Sequence, residues 1–199
     1  MCSQARATHS KGALGCCLVT GAGVAKDAGK VLALGRESAA AGSCFGQFVV
    51  GSCHYEGEGV AKDYAEAVRL YRLAAAQGYA DAQYNLGFMF QNGLVVAKDY
   101  AEAVRLYRLA AAQGHADAQY NLGFVFDNGL GVAQDYAEAM RLYRLAAAQG
   151  DAAAQTNLGY MFHNGLGVAK DRAEAIRWFR LAAAQGHANA IQSLKDLGA

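Results

Sequence analysis

Proline is absent from the 199 residues, tryptophan occurs once and methionine four times. Without proline, the 24 glycines must supply the breaks between elements. Charge of one sign is lacking too: 18 Lys and Arg face 17 Asp and Glu. That balance gives no electrostatic reason to expect nucleic acid or an anionic membrane as a partner. No run reaches the roughly 18–20 apolar residues of a spanning helix, so no transmembrane segment is expected. Cysteine is missing after residue 53. The five present, Cys2, Cys16, Cys17, Cys44 and Cys53, are odd in number and clustered, unlike a disulfide framework. They favour a mostly reduced, cytoplasmic setting. Arg6 and Lys11 precede a weakly apolar stretch, residues 12–25, with the outline of a signal peptide. Its four glycines make a poor apolar segment, and it fits the repeat described next.

What is present is a repeat. Residues 62–97, 98–133 and 134–169 align without gaps, the first two identical at 32 of 36 positions and the next two at 28 of 36. Gly15, Gly51, Gly87, Gly123 and Gly159 form one series, and Gly21, Gly57, Gly93, Gly129 and Gly165 another. The array therefore reaches back into the diverged first 61 residues. A 36-residue period belongs to stacked supersecondary units.

Each unit holds two helical patterns. The longer runs from about Tyr64 to Gln77, with Asp63 as its cap, Glu66 placed to complete a capping box and Gly78 as its stop. Tyr64, Ala67, Val68, Tyr71, Ala74 and Ala75 share one face, with Glu66, Arg69, Arg72 and Leu73 away from it. The shorter runs from about Asp81 to Asn92. One of its sides alternates rings with amides: Tyr84, Asn85, Phe88 and Gln91. Val95 stands where Gly59, Gly131 and Gly167 stand elsewhere, a strained place if positive φ is required.

The pattern Ala-Gln-Tyr-Asn-Leu-Gly-x-x-Phe, then Asn-Gly-x-Gly-Val, Ala-Glu-Ala-x-Arg-x-Tyr and Ala-Ala-x-Gln-Gly resembles the Sel-one-like repeat family, relatives of the tetratricopeptide repeats. One departure is alanine at 61, 97, 133 and 169, where the family often carries proline. That change costs about 0.4–1 kcal/mol per loop through the unfolded state. The resemblance implies an all-α fold, a right-handed superhelical solenoid of antiparallel helix pairs. It also sets the phase, with the shorter helix first. The chain is then one solenoid over 1–199: a diverged repeat at 8–43, repeats at 44–79, 80–115, 116–151 and 152–187, and a capping helix at 188–199. Lys195 falls where the Gly159 series would continue, as suits a helix with no following partner, and it argues for a monomer over end-to-end stacking. At the other end, Gly29 and Gly35 interrupt the pattern over 27–42, so residues 1–43 are expected to be the least stable.

Catalysis finds little support. Asp63 and Glu66 recur as caps at 99 and 102, 135 and 138, and 171 and 174. Neighbouring helical residues such as Cys53 and His54 point about 100° apart and form no dyad. Cys17 and Cys53 match the core positions Met89, Val125 and Met161. Cys44 and Cys53, if on one helix, lie about 13 Å apart along its axis, too far to bridge. His9, His54, His115, His163 and His187 do not cluster as metal ligands. No cofactor is called for.

By the resemblance, the first helices line a concave groove. Tyr84, Asn85, Phe88 and Gln91 then face it, with Tyr120, Asn121, Phe124 and Asp127, and with Thr156, Asn157, Tyr160 and His163. Asn85, Asn121 and Asn157 are similar to an asparagine ladder that grips peptide backbone in some tetratricopeptide proteins. An amide both donates and accepts, which suits backbone recognition. Gln91, Asp127 and His163 vary and would set selectivity. The competing reading is that the asparagines tie helices together and the rings pack between repeats. The arginines, Arg69, Arg105, Arg141 and Arg177 with Arg72, Arg108, Arg144 and Arg180, fall on the second helices beside glutamates and read as a solvated ion-pair surface. The function expected is a scaffold holding a protein or peptide segment. The alternative is a secreted or quality-control-associated repeat protein with thiol-dependent or β-lactam-binding activity.

Overall fold

The computed structural model describes residues 27–94 and 97–199, and among the described residues every regular element is an α-helix. The all-α repeat fold expected from the sequence is the one observed. The chain forms two compact units, Met1–Leu109 and Ala110–Ala199. In the first lie α1 (Ala28–Ala40), α2 (Cys44–Glu56), α3 (Tyr64–Ala76), α4 (Ala80–Asn92) and α5 (Tyr100–Ala112) up to Leu109, its last three residues being counted with the second. The second holds α6 (Ala116–Asn128), α7 (Tyr136–Ala148), α8 (Ala152–Asn164), α9 (Arg172–Ala184) and α10 (Ala188–Leu197). The expected difference in helix length is not there: α3 and α4, like α7 and α8, have 13 residues each. Ala80, with its high helix propensity, adds a residue to the shorter pattern, and the longer one stops at Ala76 with Gln77 as its C-cap.

Aspartate starts the second helix of each pair. Asp63 Oδ1 accepts from the backbone N–H of Ala65 and of Glu66, both at 3.0 Å, relieving two unpaired amides of the first turn. The capping box is only half formed. The Asp63 N–H already donates to the His54 carbonyl at 2.8 Å, and the Glu66 carboxylate turns to Arg69, which donates through Nε and Nη2 at 2.7 Å. Glu102–Arg105, Glu138–Arg141 and Glu174–Arg177 repeat the pair. These arginines are exposed, and pairs of this kind are worth about 0.3–0.5 kcal/mol each.

The core of each pair is a ring laid on a glycine. Tyr71 covers Gly51 and Tyr107 covers Gly87 in the first unit; Tyr143 covers Gly123 and Phe179 covers Gly159 in the second. A Cβ at Gly87 would sit 2.9 Å from the Tyr107 ring, so only glycine admits this packing. Tyr71, Tyr107, Tyr143 and Phe179 are each no more than 1% exposed. Alanines at 67, 74, 82, 139, 146 and 154 are fully buried around them.

A second set of ties is polar. Gln119 donates to the Ala111 carbonyl at 3.2 Å and accepts from Gln149 at 2.8 Å. Gln155 donates to the Ala147 carbonyl and accepts from Gln185 at 2.9 Å. In the first unit, Gln83 reaches the Ala75 carbonyl and Gln77 reaches Gln47. Each relay joins a first helix to the second helix before it or to its own partner, and it satisfies a glutamine buried to under 9% exposure.

The first described helix corrects the sequence reading. Gly29 and Gly35 do not interrupt α1, which is continuous. Gly35 is buried, and a Cβ there would meet Val49 and Val50 at 3.0–3.1 Å, so this glycine sets a close approach of α1 to α2. Cys53 is a buried thiol outside any disulfide, at 4% exposure, a small core hydrophobe as read. Cys44 is disulfide-bonded, so the cysteines are not uniformly reduced, and it is not joined to Cys53. Cys2, Cys16, Cys17, His9, Val95 and the first part of the diverged repeat lie outside the described residues.

Candidate partner-binding site

In the first unit, α4 presents Tyr84, Asn85 and Phe88 half-buried along one side. They meet residues of α2 and α3 that the sequence reading did not place at the site. Ser52, Tyr55, Glu56 and Tyr71 join them around an open cavity of about 230 Å³. The signal lay in the departures from the repeat: Tyr55 and Glu56 stand where later units carry Gln91 and Asn92. Tyr71 Oη shares a hydrogen bond with Ser52 Oγ at 3.1 Å. Burial pushes the Tyr71 phenol up to about 12, against the pull of hydrogen bonds from Ser52 and Asn85. Burial also raises the Tyr55 phenol, with the charges of Tyr64 and Glu56 acting in the same direction.

Gln91 is differently engaged. Its Oε1 accepts from Tyr107 Oη at 2.9 Å, so the amide is turned toward the core. In the second unit Asp127 holds the same post, accepting from Tyr143 Oη at 3.3 Å. Burial raises the Asp127 carboxyl above its ordinary value. The Tyr143 phenol is raised as well, first by burial and then by the Asp127 charge. His163, the third of the series, is exposed, because Phe179 beneath it has no hydroxyl to hold it.

The asparagines are half-buried. The side chain of Asn157 hydrogen-bonds toward both Tyr120 and Tyr143, and Asn85 toward Tyr71. The Asn85 and Asn157 amides are therefore partly used within the fold. Asn121 and Phe124 are half-buried on α6, with Tyr120 beside the Tyr143 ring at 5.8 Å. Tyr160 is 39% exposed; its Oη accepts from Ser193 Oγ of α10 at 3.0 Å, and its ring stands edge-on to Phe179 at 5.2 Å. Thr156 is buried and bonded to His187 Nδ1 at 2.9 Å. His115 serves as an N-cap, its Nδ1 accepting from the Ala118 N–H at 3.3 Å. No group of three potential metal ligands occurs among the described residues. No described helix is long and apolar enough to cross a membrane.

Comparison with known proteins accounts for this repeating geometry. The Sel1 repeat model matches residues 12–43, 45–79, 80–115, 116–151 and 152–187. A Sel1 repeat protein from Oxalobacter formigenes is 33% identical over 96% of this chain and 78% of its own, with a TM-score of 0.87. A protective antigen of uropathogenic Escherichia coli displaying an SLR fold is 34% identical over 96% of this chain, with a TM-score of 0.83. This chain spans 42% of that antigen. Cysteine rich protein B of Helicobacter pylori shares the fold at 24% identity and a TM-score of 0.51. A search of curated proteins returned no match. Sel1 repeat proteins are generally protein-interaction scaffolds and generally not enzymes. With five matched repeats and two solved relatives above 30% identity, this chain belongs to the Sel1 repeat family.

Proposed function

We propose that the protein holds an extended or helical segment of a partner protein against the first-helix faces, each unit offering its own. The observation that carries this reading is the cavity in the first unit, where Tyr84, Asn85 and Phe88 converge with Tyr55 and Tyr71 around open space. Rings give contact area at low entropic cost, and asparagine satisfies a peptide N–H or carbonyl. In the second unit Asn121, Phe124, Asn157, Tyr160 and the exposed His163 form the corresponding set. Gln91 and Asp127, bonded to core hydroxyls, shape this face from below more than they reach out from it.

The test replaces Asn85, Asn121 and Asn157 with alanine and compares the partners retained by the variant and the parent protein. Loss of partner capture with an unchanged circular dichroism spectrum supports the reading. Unchanged capture by a folded variant overturns it. The thiol-dependent alternative requires an accessible reactive thiol, which Cys53, buried at 4% exposure, does not provide.

A further inference from the structure

The C-terminal turn of α2 departs from the repeat on the first-helix side. Units from α4 onward end their first helix with asparagine, and its amide folds back: Asn92 onto the Phe88 carbonyl, Asn128 onto that of Phe124 and Asn164 onto that of Tyr160, at 2.8–2.9 Å. Helix α2 ends instead with Glu56, preceded by Tyr55. Both line the 230 Å³ cavity with Tyr71, Tyr84, Phe88, Ser52 and Asn85.

Three properties of this cavity point the same way. Its walls are four aromatic rings, whose faces are electron-rich. Its only charged lining residue is Glu56, which is exposed and has no ion-pair partner among the described residues. The lysine whose charge reaches Tyr55, Lys62, is already placed over the Tyr64 ring, 5.4 Å from its centroid. The Glu56 charge raises both the Tyr55 and the Tyr71 phenols, a sign that the field inside is negative. Rings and an unpaired carboxylate together form the environment in which a cation is favoured over a neutral group of the same shape.

We propose that this notch receives a lysine side chain of the bound partner segment, with the methylenes along Tyr55, Tyr84 and Phe88 and the ammonium toward Glu56. Acceptors suit an ammonium with three N–H groups: the Glu56 carboxylate, the Ser52 and Tyr71 oxygens, and the Asn85 amide. A volume of about 230 Å³ holds four methylenes and an ammonium without displacing a wall. The notch rests on the partner-segment reading above and narrows it, because the segment must carry a lysine in register with Asn85.

The probe is n-butylammonium, which is the lysine side chain in isolation, followed through the tyrosine ring signals of the full chain by NMR. The neutral control is n-butanol, and n-propylguanidinium stands for arginine. Saturable shifts at Tyr55, Tyr71 or Tyr84 are expected, with butylammonium binding about fivefold more tightly than butanol. Added salt weakens that preference, and Glu56→Gln reduces it to what the rings alone supply. Glu56 is exposed at the end of its helix, so the variant folds; circular dichroism checks this. Equal response to butylammonium and butanol, an unaltered preference in Glu56→Gln, or tighter binding of the guanidinium overturns the assignment. If butylammonium fails while the triple alanine variant still loses its partners, only the lysine notch falls. If butylammonium binds and the triple variant captures as before, the segment reading is what falls.

Discussion

Two helix pairs of the second unit solve one packing problem with different rings. In α6–α7, Tyr143 lies on Gly123 and sends its hydroxyl out to Asp127. In α8–α9, Phe179 lies on Gly159, and a Cβ there would come as near as 2.5 Å to the ring, against 2.9 Å in the first pair. With no hydroxyl below it, the residue in the Asp127 position becomes His163 and is exposed. The chemistry offered on the first-helix face is thus decided from inside. A buried phenol recruits the surface side chain above it, and a buried phenyl releases it.

That contrast can be broken most strongly at the ring itself. Tyr143→Ala should cost about 3–5 kcal/mol in urea unfolding followed by circular dichroism, and Phe179→Ala a similar amount. A cost below about 1 kcal/mol in either would show that the ring is not what holds its pair together. Alkali separates the pairs by chemistry. Tyr143 has a folded pKa raised above its unfolded value, as does Tyr71 at about 12. Their contribution is fully present below the ordinary tyrosine value of about 10 and is lost as the pH rises through the folded value. For Tyr71 the loss is on the order of 2–3 kcal/mol by pH 12, read from denaturant midpoints, and Tyr143→Phe should remove part of the alkaline slope.

A subtler change converts one pair into the other. Tyr143→Phe leaves Asp127 half-buried without its donor, at a cost of about 1–3 kcal/mol. Adding Asp127→His reproduces the α8–α9 arrangement and should recover most of it; thermal melts of both variants settle whether the two residues act together. The smallest effect expected is from Asp127→Asn alone. Because burial raises the Asp127 carboxyl, its ionised form costs stability once the pH rises through the folded value. The amide should therefore melt slightly higher at pH 7, by a few tenths of a kcal/mol, with the gap closing at pH 3.

The fold was legible because the repeat prints each helix several times over: aspartate caps, buried alanines and the glycine series recur in register. The glycine series was plain in the sequence, but its use was not: each of Gly51, Gly87, Gly123 and Gly159 takes the ring of the following helix. Gln83, Gln119 and Gln155 recur just as faithfully, yet a glutamine on an amphipathic helix looks solvated unless its acceptors, such as the Ala111 carbonyl, are known. The bonds that Gln91 and Asp127 accept from buried hydroxyls were hidden for the same reason, since their donors come from a different helix. Tyr55 and Glu56 lie outside the repeating pattern, and the charged notch is made by what does not repeat.

The first helices of three units end in Asn-Gly, a dipeptide prone to cyclise and lose its amide when the glycine nitrogen attacks the side chain. Here both reactants are held. Asn92 and Asn164 donate to the Phe88 and Tyr160 carbonyls, while the Gly93 and Gly165 nitrogens donate to Phe90 and Met161. Chemical ageing at these joints is therefore gated by fraying of a single helical turn, and deamidation over time becomes a slow record of how often each helix end has opened.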